Sequence, residues 1–335
     1  MKKLILIFTL MLLVIAGCGD NDSTDGGEGS GIDKIILADA GWDSIRFHNS
    51  IAQRIIEEGY GYETDVTSGS TAATIQGLRQ GDIDAYMEVW TDNIKELYNE
   101  SIDSGDILKL STNFDDNKQG LWVPTYVIEG DEERGIEAKA PDLKSVKDLE
   151  KYPEVFKDPE DPGKGRVIGA PSGWALSEYL DTKMTTYGLE EEFNYFLPGS
   201  DSAIVTSLAD AYKNGEPWVG YYWSPTWVTA KYDMTLLEEP EFDQEKWDED
   251  KGTEFPPNDV VVAANKDLPD QAPEVVEFLE NYETSSDLTG EALAYMKDNE
   301  ASADEAAQWW MEQHEDIWTE WVPEDVATKV KDSME

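Results

Sequence analysis

The chain has 335 residues, with 72 Asp and Glu against 26 Lys and Arg and a formal net charge of −46. So acidic a sequence has no basic footprint to neutralise phosphates, which excludes a nucleic-acid partner. Its 40% apolar residues and 12 tryptophans exclude wholesale disorder, and its single cysteine excludes both a disulfide framework and a thiolate metal centre in the body.

In chain order, Lys2 and Lys3 precede an apolar run at 4–16 (LILIFTLMLLVIA), short for a membrane span and suited to a signal peptide covering residues 1–17. The run closes on Ile15-Ala16-Gly17-Cys18, which resembles a bacterial lipobox with Cys18 as the lipidated residue. Residues 18–31 are Gly, Ser and acids without apolar partners, a tether that cannot bury a core. These features predict an extracytoplasmic protein held at the cell membrane by its lipidated N-terminus.

From residue 32 onward one grammar repeats: short apolar strand, turn, amphipathic helix. Strands are predicted at 34–38, 62–67 and 83–89, with helices at 44–58, from Ser70 to Arg79, and at 92–101. Residues 121–128 (LWVPTYVI) read as a strand leaving this block, followed by a short helix at 142–151 and a Pro/Gly/Asp loop at 158–165. The pattern resumes with strands at 166–170, 195–197 and 218–222 and helices at 174–187 and up to Lys213. Strands at 235–237 and 259–264 precede helices at 273–283, 288–298, 303–319 and 324–333. Alternation on this scale predicts an α/β fold with mostly parallel sheets. Two similar blocks predict two lobes, 32–127 plus 231–335 and 128–230, with a cleft between them.

Four tryptophans occupy equivalent places in this grammar. Trp42, Trp90, Trp174 and Trp223 each lie at the carboxyl end of a predicted strand, where open α/β sheets bind ligands. Two from each lobe would close on a ligand in the cleft. A trimethylammonium group is cationic yet has no N–H to donate, so aromatic faces grip it where hydrogen-bond acceptors do not, with Trp the best. A carboxylate on the same ligand needs donors, and helix N-termini with Ser68, Ser70, Thr71 and Ser172 nearby supply them. Other tryptophans have structural roles: Trp310 and Trp318 share a helical stripe with Ala306 and Ile317, with Trp321 just beyond. Trp122 and Tyr126 lie near the expected lobe crossing and are candidates for the cleft rim. His48 reads as packed or at the rim, and His314 as structural.

The motifs ADAGWDS at 38–44, GDIDAYMEVW at 81–90, Ser172-Gly173-Trp174 and YYWSPTWV at 221–228 together resemble the glycine betaine/proline betaine/choline-binding family of ABC importers, over essentially the whole mature chain. The resemblance implies a two-lobe periplasmic-binding-protein fold of type II that closes on its ligand, with the tryptophans matching Trp90, Trp174 and Trp223 forming an aromatic box. It implies no cofactor, no metal and no catalysis, and it makes an ABC permease the partner in the membrane. Relatives that bind betaine often carry Pro-Gly before the tryptophan at 174, where this chain has Pro171-Ser172-Gly173.

The expected ligand-contact set is Trp42, Asp43, Ser44, Ser70, Trp90, Trp174 and Trp223. Asp43 discriminates between ligands. An acid beside the cage favours a plain cation such as choline and repels the carboxylate of betaine, whereas its alternative role is to cap the helix before Ile45. Surface acidity of this degree suits high salt, where self-repulsion is screened, and a salt-adapted cell needs compatible solutes. Glycine betaine or proline betaine is therefore the first expectation, with choline or carnitine second. A lipid-anchored glycoside hydrolase stacking sugars on tryptophan is the rival from another class, but it needs two carboxylates facing the cage. A sensory binding subunit is a third reading.

Overall fold

The strands are β1 (Lys34–Asp39), β2 (Glu63–Ser68), β3 (Ala85–Trp90), β4 (Ile107–Phe114), β5 (Lys118–Pro124), β6 (Gly165–Ile168), β7 (Phe193–Phe196), β8 (Gly220–Ser224), β9 (Met234–Leu236) and β10 (Val260–Asn265). They form two five-stranded sheets, ordered β2-β1-β3-β10-β4 and β7-β6-β8-β5-β9. The computed structural model describes residue 32 and residues 34–334, so the expected signal peptide, Cys18 and the tether lie outside the described residues.

Sequence explains the position of each strand in the first sheet. β3 and β10 are buried along their whole length and take the central places. β2 (ETDVTS) keeps its Glu and Asp in solvent and takes an edge, where charged side chains also discourage further pairing. β1 pairs in parallel with β2 and β3, which requires crossovers, supplied by the helices Asp43–Arg54 and Thr71–Gln80.

The expectation of mostly parallel sheets is corrected: both are mixed. β10 runs antiparallel to β3 and β4, and β5 runs antiparallel to β8 and β9, while β6 is parallel to β7 and β8. The antiparallel strands are those that carry the chain between the sheets. It leaves the first on β4 and enters the second on β5; it leaves the second on β9 and returns on β10. Sheet membership changes across residues 115–117 and 237–259, whereas the expected lobe limits of 127 and 231 fall after β5 and before β9, both strands of the second sheet.

Several local elements differ from expectation. The first helix gives way after Arg54 to a π-helical turn, Ile55–Tyr60, which ends at Gly61 with φ 85°. The helix expected from Trp174 begins only at Ser177, leaving Trp174 in the preceding turn. The helix expected at 142–151 is a 3₁₀ turn, Val146–Lys151, capped reciprocally by Ser145 and Asp148. The helix expected at 303–319 breaks at His314 into Ala303–Gln313 and Glu315–Trp318. Trp310, Trp318 and Trp321 are buried, in keeping with their stripe.

Candidate functional site

The turn after β1 shows how sequence places a functional ring. Asp39 accepts the Gly41 N–H at 2.8 Å and the Arg46 Nε–H at 3.1 Å, bending the chain back on its first helix. Gly41 has φ 103°, a conformation that disfavours any side chain, and it delivers Trp42 to the helix N-cap position. Trp90 is the last residue of β3, and Trp223 is next to last in β8. Trp174 sits in the turn between β6 and the helix Ser177–Thr186.

The four indoles converge. Trp42 and Trp174, from turns beside different sheets, meet edge to face with centroids 5.7 Å apart and planes at 88°. Trp174 and Trp223 meet at 5.1 Å and 82°. All four line one cavity, together with Thr71, Tyr86, Val89, Asn93, Ile94, Ala175, Leu176 and Tyr221. No lining side chain is ionised at neutral pH. The rings are only 5–9% exposed, so they face each other and the cavity rather than bulk water.

The other expected contacts lie elsewhere. Asp43 and Ser44 line a small neighbouring space, with Asp201, Tyr222, Trp223 and Thr226 among its walls. Asp43 is the first residue of its helix, Trp42 holds the cap position without a side-chain cap bond, and the Asp43 carboxylate pairs with Arg46 at 3.4 Å. The capping role considered for Asp43 is therefore not the one it plays. Ser70 is the residue that caps, its hydroxyl accepting from the Ala73 N–H at 3.3 Å. The Thr71 N–H, at one of the helix N-termini expected to supply donors, is taken by the Gly173 carbonyl at 3.3 Å. Ser172 is exposed and lies outside a helix N-terminus, because that helix starts later.

Trp122 and Tyr126 are not among the cavity walls. Trp122 donates to the Tyr222 carbonyl at 3.0 Å, and the Tyr126 hydroxyl to the carbonyls of Ala211 and Glu216. His48 is fully buried with Nδ1 2.8 Å from the Tyr282 hydroxyl, and burial lowers its pKa to about 3, so the ring is neutral.

Two cavity residues were missed from sequence although strand alternation marks them, and a third, Asn93, lies just past the end of β3. Tyr86 stands four residues before Trp90 and Tyr221 two before Trp223, on the same faces of β3 and β8. Asn93 forms the link to the crossings between the sheets. Its Oδ1 accepts from Gln119 Nε2 at 3.0 Å and from Asn258 Nδ2 at 3.1 Å. Asn117 in turn donates to the Asn258 carbonyl at 2.6 Å.

Asp201 opens the helix Asp201–Asn214 and is buried, with Oδ1 unpartnered. Burial, then the nearby negative charge of Asp43, raises its pKa to about 7 against the opposing pull of Arg46. A carboxyl with a raised folded-state pKa contributes fully only below its unfolded value of about 4 and loses that contribution as pH rises from there to about 7. Asp201→Asn should thus gain on the parent steadily from about pH 4 to about pH 7 and keep a constant advantage above that, as read by scanning calorimetry. An equal difference across that range would show that Asp201 is ionised throughout.

Two mixed α/β sheets joined by two crossings, with an apolar aromatic cavity built from both, define a two-lobed solute-binding protein. The chain matches, over residues 33–313, the family described as the substrate binding domain of ABC-type glycine betaine transport systems, and it belongs to that family. The family is one of transport binding proteins that work outside the cytoplasm, not of enzymes. A trimethylamine N-oxide-binding protein of Pelagibacter ubique is 21% identical over 323 residues, covering 95% of this chain and 99% of that one. The glycine betaine/carnitine transport binding protein of Listeria monocytogenes is 23% identical over 156 residues, 46% of this chain and 48% of that one. Among solved structures, an ABC-transporter choline-binding protein in complex with choline superposes with TM-score 0.71 at 20% identity, covering 90% of this chain and 98% of that one. Lactococcal OpuAC, closed on glycine betaine, gives 0.68 at 20% identity, covering 87% and 100%. Among the described residues, no helix is long and apolar enough to cross a membrane.

Proposed function

We propose that this protein captures a small solute with a trimethylated nitrogen and delivers it to an ABC permease for uptake, Trp42, Trp90, Trp174 and Trp223 forming the cage. The observation that carries the reading is the convergence of four indoles, from both halves of the molecule, on one cavity without an ionised wall. Rings can grip a cation there at about 0.5 to 2 kcal/mol each while excluding water. Glycine betaine is the first candidate, in line with the family. Choline is the second reading, and a specific observation favours it. The cavity walls include no Arg, Lys or His for a carboxylate, only the Asn93 amide, the Thr71 hydroxyl and two tyrosine hydroxyls. The relative named for trimethylamine N-oxide adds a third ligand with the same head and a compact polar end. Cys18 is the proposed site of lipid attachment, holding the protein at the outer face of the membrane on the tether 18–31.

A thermal-shift panel of glycine betaine, proline betaine, choline, carnitine, trimethylamine N-oxide and proline tests the reading. A ligand at a hundred times its Kd stabilises the folded state by about 2.7 kcal/mol. At least one methylated ammonium compound or amine oxide is expected to raise Tm by several degrees while proline does not. A panel without any shift would remove the reading.

A further inference from the structure

β3 places Tyr86, Glu88 and Trp90 on one face by simple alternation, and Tyr86 and Trp90 both reach the cavity. Glu88 lies between them, fully buried and one layer behind the aromatic wall. Its Oε1 accepts two hydrogen bonds at 2.9 Å, from the Ser44 hydroxyl and from Trp90 Nε1. The Trp42 indole N–H approaches the same carboxyl. Yet Trp42 Nε1 and Glu88 Oε2 are both buried without a hydrogen-bond partner.

We infer that Glu88 is the counter-charge of the bound cation, a positioning residue that holds the Trp90 ring by its N–H edge, and that it releases its proton, and so gains the Trp42 N–H as a second indole donor, when a cationic head enters the cage. This deepens the proposed function and rests on it.

The chemistry follows from donor and acceptor counts. With Oε1 accepting twice, a protonated Glu88 carries its proton on Oε2, where that O–H and the Trp42 N–H are two donors facing each other. Ionisation turns Oε2 into an acceptor for Trp42 and places negative charge behind the rings that face the ligand. The proton passes to the buffer. The groups around Glu88 supply no competing cation. Ser44 faces it from the first helix, Tyr86 from its own strand, and Tyr282 from beyond the helix Pro273–Asn281. Burial, partly offset by the hydrogen bonds from Trp90, Ser44 and Trp42, raises the Glu88 pKa to about 8, so in the empty protein the carboxyl is mostly protonated at neutral pH. A cation in the cage supplies the missing partner and lowers that pKa. Binding then tightens as pH rises and levels off above about 8.

Isothermal titration of choline and of glycine betaine into the full chain, from pH 6 to 9 in buffers of differing ionisation heat, tests this. The expected result is proton release on choline binding and a Kd that tightens several-fold to tenfold per pH unit below 8, with a smaller effect for betaine because its carboxylate opposes Glu88. Glu88→Gln keeps the shape and an acceptor oxygen but should abolish both the release and the pH slope, and bind choline at least tenfold more weakly at pH 8.5. Binding with no proton release at any pH overturns the inference while leaving the solute reading intact. Binding of neither solute overturns both. If Glu88→Gln fails to fold, proton release by the parent protein alone decides.

Discussion

Trp174→Ala is expected to weaken binding of a quaternary ammonium solute by tenfold to about a hundredfold. Trp174 meets Trp42 on one side and Trp223 on the other, so it closes the corner that joins the two halves of the cage. Truncation removes one ring worth about 0.5 to 2 kcal/mol to a cation. It also removes two edge-to-face contacts of roughly 0.5 to 1.5 kcal/mol each that fix its neighbours, and it lets water reach the ligand. Trp174→Phe should recover part of the loss, because a smaller ring still presents a face. Titration calorimetry on both variants, with melting curves of the ligand-free proteins to separate stability from affinity, gives the answer. An unchanged Kd for Trp174→Ala would falsify the cage.

The largest effect on stability is expected at Lys183. Its ammonium is buried in the second half of the molecule, 2.5 Å from Glu239 Oε1 and bonded to the Thr253 carbonyl. It also lies over Phe255 and Trp247 at 4.9 and 5.3 Å from their ring centres. The Tyr187 hydroxyl donates to the same Glu239 oxygen at 2.9 Å. Burial lowers the lysine pKa and raises that of the glutamate, so each charge persists only because the other is present. Lys183→Ala leaves Glu239 buried without its partner, at a cost of about 3 to 5 kcal/mol. Replacing both together, as Lys183→Met with Glu239→Leu, should restore most of it, since a paired burial of ions is seldom better than apolar packing. Urea denaturation of the single and double variants measures the difference. A loss below about 1 kcal/mol in the single variant would mean that solvent reaches the pair.

What could be read without coordinates was set by how strongly each residue type signals its place. A tryptophan at the end of an apolar strand has few explanations in packing alone, and all four expected cage residues meet at one cavity. β4 (ILKLSTNF) went unread because its middle is half-exposed and polar, and its pairing partner, β10, is more than a hundred residues away in sequence. The helix Gln244–Asp250 is nearly all polar and buries only Trp247, so it has no apolar stripe to announce it. Asp43 adjoins Trp42 in sequence yet lines the neighbouring space rather than the tryptophan cavity, because neighbours at a helix start point in different directions. Glu88 was hidden by composition. Among 72 acidic residues, a carboxylate in a strand reads as one more solvated charge, and only burial with two indole neighbours sets it apart.

The passage between the two sheets is wired with side-chain amides. Asn93, Gln119 and Asn258 are all buried, and with Asn117 they bond to one another where the chain crosses in each direction. Amides neither titrate nor attract a counterion cloud. In a molecule of net charge −46, ionic strength therefore changes the push between the two halves but leaves the joint itself alone. The hydrogen bonds of this joint are the same at any salt, while the electrostatic load across it varies. Since Asn93 is also a wall of the cavity, the same uncharged joint touches whatever lies between the halves.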